Sequence, residues 1–162
     1  MNDSQMLWHY TIGQHYQRIV ADNAILPSSA YLEPAKCPVV WFSRNPIWEP
    51  AAVRALVTDD GSLQPLTMEE LGQQAGGLYR IGVAKETAPH NWDDFLRLSG
   101  MSRDNITRLR RVAKYRGANL KDWFASFEPI DRSKWLIAEV WWNHAWSQGQ
   151  PAPSNEIIVS AT

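Results

Sequence analysis

The spacing of apolar and polar residues changes several times along the chain, and each change marks an element. Leu7-Trp8-His9-Tyr10-Thr11 is a short apolar and aromatic run that predicts a strand with a histidine in its middle. Over about 14–24 the apolar residues fall at helical spacing, with Ile19, Val20 and Ile25 on the apolar side. Val39-Val40-Trp41-Phe42-Ser43 predicts a second strand. Pro46 and Pro50 then interrupt regular structure, and 49–56 reads as a short helix that tolerates Pro50 in its first turn. Asp59-Asp60-Gly61-Ser62 is a turn signal. Thr67 and Glu70 have capping-box spacing, so a short helix starts there and ends near Gly76-Gly77. Residues 78–83 alternate like a strand with one polar face.

In the second half, Phe95, Leu96 and Leu98 predict a helix stopped by Gly100. Ile106, Leu109, Val112 and Ala113 predict another over 102–116, closed by Gly117. Residues 120–124 read as a helical turn, 135–142 as a strand, 143–153 as a polar loop and 156–159 as a terminal strand. Strands on both sides of a helical pair predict one α+β domain over 1–162. The helical pair at 91–116 is its central insertion.

Composition changes this picture little. A net charge of −1 gives no overall pull toward nucleic acid, but the charge is uneven. The 102–116 helix carries Arg103, Arg108, Arg110, Arg111, Lys114 and Arg116 against Asp104, which is either a solvated face or a phosphate-contacting one. The single Cys37 excludes an intramolecular disulfide and fits a reducing compartment. No apolar run approaches the roughly 20 residues of a membrane helix, and Met1-Asn2-Asp3-Ser4-Gln5 has no signal-peptide character. The expectation is a cytoplasmic protein with no membrane partner. The nine Trp read chiefly as core, with Trp41 and Trp48 flanking the second strand motif. His15, His90 and His144 lack metal-ligand spacing, so no metal is expected, and phosphate loops and nucleophile elbows are absent.

Three motifs in order carry a resemblance: His9-Tyr10-Thr11, then Trp41-Phe42-Ser43 after an intervening helix, then Asn155-Glu156-Ile157-Ile158-Val159. Their arrangement resembles the ADP-ribosyltransferase superfamily, in its poly(ADP-ribose) polymerase and diphtheria-toxin branch. The resemblance covers about the first 55 residues and the last strand. It implies a split, mostly antiparallel sheet and NAD as substrate, with transfer of ADP-ribose to a protein or nucleic-acid acceptor and release of nicotinamide. His9 would bind ribose, the backbone of Tyr10 would grip the carboxamide, and Thr11 would be a further cofactor-binding residue of the same motif. Trp41, in place of the usual Tyr, would line the nicotinamide pocket with Phe42 and Ser43. Glu156 would stabilise the oxocarbenium-like sugar, with Glu139 as the rival carboxylate. Arg44 is either a pyrophosphate ligand or a surface residue; Arg80 is a weaker candidate of the same kind, and Glu49 reads as a helix-start residue. Two alternatives stay open: an RNA 2′-phosphotransferase-like enzyme, or a non-catalytic NAD- or ADP-ribose-binding module of phage or toxin–antitoxin type.

Overall fold

The computed structural model describes residues 6–28, 37–52, 56–57, 59–64 and 66–148. In chain order, β1 (Met6–Ile12) leads into α1 (Gly13–Asp22), the short β2 (Ala24–Ile25) and β3 (Val40–Ser43). A small hairpin joins β4 (Leu56–Val57) to β5 (Leu63–Gln64). Then come α2 (Met68–Gln74), β6 (Leu78–Ala84), β7 (His90–Asn91), α3 (Trp92–Leu98) and α4 (Arg103–Arg116). β8 (Trp123–Ser126), β9 (Ile130–Asp131), β10 (Trp135–Trp142) and β11 (Ala145–Ser147) follow.

Seven strands lie in the order β11-β10-β6-β1-β3-β8-β7, and all their pairings are antiparallel. The expected α+β class with a mostly antiparallel sheet is therefore present. The two sides of this sheet are joined unequally at β1. β1 pairs with β6 from Met6 to Ile12 but with β3 only where Trp8 meets Ser43. Beyond that pair the ladder stops, so β1-β6-β10-β11 and β3-β8-β7 form two halves with a seam between them.

Alternation along the strands assigns side chains to two faces. Leu7, Val40, Phe42, Ile81 and Val83 form one cluster, covered by Tyr16 and Ile19 of α1. Met6, Trp8 and Tyr10 point to the other face, toward Trp48, Ile137 and Trp146. On that second face Trp41, Trp123 and Ala125 pack against Trp92 and Phe95 of α3 and Leu109 and Ala113 of α4. The central helical pair thus covers the β3-β8 half of the sheet.

Local signals place most helix ends. Thr67 and Glu70 make the predicted capping box, and Asn91 with Asp94 makes a second. Ser102 caps α4, and Gly117 ends it in the left-handed conformation at φ 71°. Gly13 is required by a close approach. A Cβ there would stand 2.2 Å from the Gly76 carbonyl oxygen. The Gly13 amide donates to the carbonyls of Ala75 and Gly77, which docks the end of α2 on the start of α1.

Several expectations change. α1 stops at Asp22 because Asn23 turns left-handed, which moves Ile25 into β2, where it is buried. Residues 50–52 form a turn rather than part of a helix, and Leu56–Val57 is a strand. The helical turn at 120–124 covers only Leu120–Asp122; Trp123 begins a strand whose residues pair with β3. Part of the predicted loop after Trp142 is β11, reached through Asn143 and His144 at positive φ. The predicted strand at 156–159 lies outside the described residues.

Candidate functional site

β1 brings His9 to the seam. Its Nδ1 lies 2.9 Å from the backbone oxygen of Trp41, a carbonyl left unpaired where the β1-β3 ladder ends. A carbonyl only accepts, so Nδ1 is the protonated nitrogen and Nε2 carries the lone pair. Burial holds the His9 pKa below its usual value, and the ring is neutral at physiological pH. Among the described residues Nε2 has no hydrogen-bond partner, and the residue as a whole is half-buried. The ring leans on Phe42 at a centroid distance of 5.7 Å.

The seam does not collect every residue the resemblance assigns. Thr11 and Phe42 share the face of His9, both buried. Trp41 contributes its carbonyl to the seam, but its indole turns to the opposite face. There it meets Phe95 at 4.6 Å, Trp123 at 5.5 Å and Trp92 at 6.4 Å. Its side chain is a core residue, and Phe42 is the aromatic ring beside His9. The Tyr10 side chain also faces away from His9, which does not bear on the backbone role the resemblance implies: its hydroxyl donates to the Asn45 carbonyl at 2.6 Å, and its ring packs on Trp48 and Trp146. Glu156 lies outside the described residues.

Ser43 and Glu49 form a buried pair on the far face. Ser43 Oγ donates to Glu49 Oε2 at 2.8 Å, and the Ala51 amide donates to Oε1. Burial raises the Glu49 pKa, and these two donors only partly oppose it. Glu49 therefore holds the loop after β3; it starts no helix.

The same face carries Arg80 and Glu139, register partners on β6 and β10. Arg80 Nε donates to Glu139 Oε2 at 2.6 Å, and the guanidinium lies 3.8 Å above the Trp8 ring and 4.6 Å from Trp146. It also donates to the Pro46 carbonyl. With side chains only 10% and 12% exposed, the pair is structural: Glu139 has its counter-charge and faces away from His9.

A second concave feature lies at the end of the β3-β8 half. A groove of about 740 Å³ is lined by Arg44, Arg110, Lys114 and Lys121, with Asp93 at its side and Phe124 in its wall. Arg44 Nε is tied to Asp122 at 2.6 Å, which leaves both terminal nitrogens of the guanidinium unengaged among the described residues. Phe124 is the register partner of Phe42, so a row of rings on one face leads from His9 toward this groove. Sequence reasoning singled out Arg44, Arg110 and Lys114 separately; Lys121 and Phe124 carried no signal, because only strand pairing brings them there. No helix among the described residues is long and apolar enough to cross a membrane, and none of these residues forms a group of three or more potential metal ligands. No family model matches the chain, and no curated protein or solved structure matches it.

Proposed function

We propose that the seam beside His9 binds NAD and that the protein transfers ADP-ribose from NAD to a macromolecular acceptor, releasing nicotinamide. The observation that carries this reading is the state of His9. Its Nδ1 proton is directed at the Trp41 carbonyl, so Nε2 is an acceptor of the kind a ribose hydroxyl needs. The lowered pKa keeps it so below neutral pH. Phe42 replaces Trp41 as the aromatic neighbour, and the terminal nitrogens of Arg44 suit a pyrophosphate.

The reaction on this reading breaks the bond between the ribose anomeric carbon and the pyridinium nitrogen. The bonding electrons leave with neutral nicotinamide. An acceptor nucleophile bonds to the same carbon and gives up its proton. Glu156 is the carboxylate assigned to face the developing positive sugar. Glu139 is unsuited to that role, since Arg80 neutralises it on the opposite face.

Calorimetric titration with NAD beside an assay of nicotinamide release tests the reading. Glu156→Gln should bind NAD within a few-fold of wild type and turn over roughly 10²-fold more slowly, the scale of one lost electrostatic contact. Glu139→Gln should keep its turnover as long as it stays folded. A wild type that does not bind NAD removes the proposal. Binding without nicotinamide release selects the non-catalytic module. The basic groove favours one further reading, a 2′-phosphotransferase-like enzyme, selected if nicotinamide is released only when a 2′-phosphorylated RNA oligonucleotide is added.

A further inference from the structure

The net charge of −1 hides a local excess of cations on α4 and the groove beside it. Arg110, Lys114 and Lys121 line the groove, all three are exposed, and none has a carboxylate partner among the described residues. At 100° per residue, Arg110 and Lys114 each lie within about 20° of Arg103 around the α4 axis. The positive face therefore continues along the helix beyond the groove, for about 16 Å from Arg103 to Lys114 at 1.5 Å per residue. We propose that this track binds the phosphate backbone of single-stranded nucleic acid, with the groove holding a short stretch of the strand.

Three features favour that occupant. The cations are spaced along a line, which suits a linear polyanion better than a compact phosphate. The groove, at about 740 Å³, has room for a few nucleotides of one strand. Its wall includes the half-buried ring of Phe124, an apolar surface beside the charges that suits a base more than an acidic peptide. Arg44, which also lines the groove, is given to the NAD pyrophosphate by the preceding proposal, but the track uses Arg103, Arg110, Lys114 and Lys121 and its assay contains no NAD, so the two proposals fail separately.

The test is fluorescence anisotropy with a labelled 20-nucleotide oligo-dT and oligo-U, without NAD, over a salt series. Wild type should bind at low salt, with log K falling against log salt at a slope near −0.7 per phosphate contacted, or about −2 to −3 for three to four contacts. Arg110→Glu with Lys114→Glu should weaken binding at least tenfold and flatten the slope. Lys121→Glu should act in the same direction, and Arg103→Glu should weaken the 20-mer more than a 4-mer. Lys134→Glu, an exposed change on the segment before β10, should leave binding unchanged. All five positions are exposed, and melting curves check that the variants stay folded. Absence of binding by the wild type at low salt overturns the proposal. So does equal weakening by Lys134→Glu, full displacement of the strand by millimolar phosphate, or equally tight binding of poly-glutamate.

Discussion

On one face of β1, Arg80 and Glu139 lie between Trp8 and Trp146 with their charges matched and little contact with water. On the other face, His9 has one nitrogen tied to Trp41 and the second without a partner among the described residues. Both clusters are polar groups within a sheet, and both drew attention as candidate chemistry. Their difference lies in saturation. In a buried ion pair each charge is met by its counter-charge, and removing either member leaves an uncompensated charge. A histidine held in one tautomer with a free acceptor is prepared for a ligand. The seam creates this second condition, because it ends the β1-β3 ladder at the Trp8–Ser43 pair and frees a carbonyl for the imidazole.

The largest expected effect tests the saturated side. Arg80→Met leaves Glu139 buried without its partner and should cost about 3–5 kcal/mol in urea denaturation. A loss under about 1 kcal/mol would mean that water reaches the pair and that the two faces are less different than described. Next, Trp41→Ala removes an indole from the Phe95, Trp92 and Trp123 cluster and should cost about 3 kcal/mol. Measured where the variant is folded, its NAD affinity should equal that of wild type. A large affinity loss would return the Trp41 ring to the binding site. His9→Ala should reverse the balance, weakening NAD about tenfold in calorimetry while lowering stability by only about 1 kcal/mol.

The smallest effect is a pair of opposite pH slopes. The His9 pKa is lowered by folding, so the unfolded chain takes up protons that folded His9 refuses. Stability should therefore fall as pH drops below the ordinary value of 6.5. The Glu49 pKa is raised by folding, so the folded chain keeps a proton that the unfolded chain releases. Stability should fall as pH rises above the ordinary value of 4.5. Each slope is at most about 1.4 kcal/mol per pH unit. Melting temperatures from pH 4 to 8 should show His9→Ala losing the acid-side slope and Glu49→Gln losing the other. Retention of either slope in its variant assigns it to a different group.

What the sequence determined on its own is local. Caps, stops and runs are set by residues within a few positions of one another. Thr67 with Glu70, Gly117 after α4 and the apolar runs of β1, β3, β6 and β10 were all legible. The order of a histidine strand, a helix and a tryptophan-phenylalanine strand was legible too, and those two strands are neighbours. β8 was misread because four residues are too few to show a period; its strand form depends on β3 and β7 beside it. Tertiary structure alone decided which side chain meets which. A strand's alternation states that Trp41 and Phe42 face opposite ways, but not which of them faces His9, since that depends on the register across the seam. Likewise Arg80 and Glu139 are 59 residues apart, and Arg44, Lys114 and Lys121 come from three segments. Their pairing, or their gathering around one groove, follows from long-range strand order and helix packing, which no local spacing encodes.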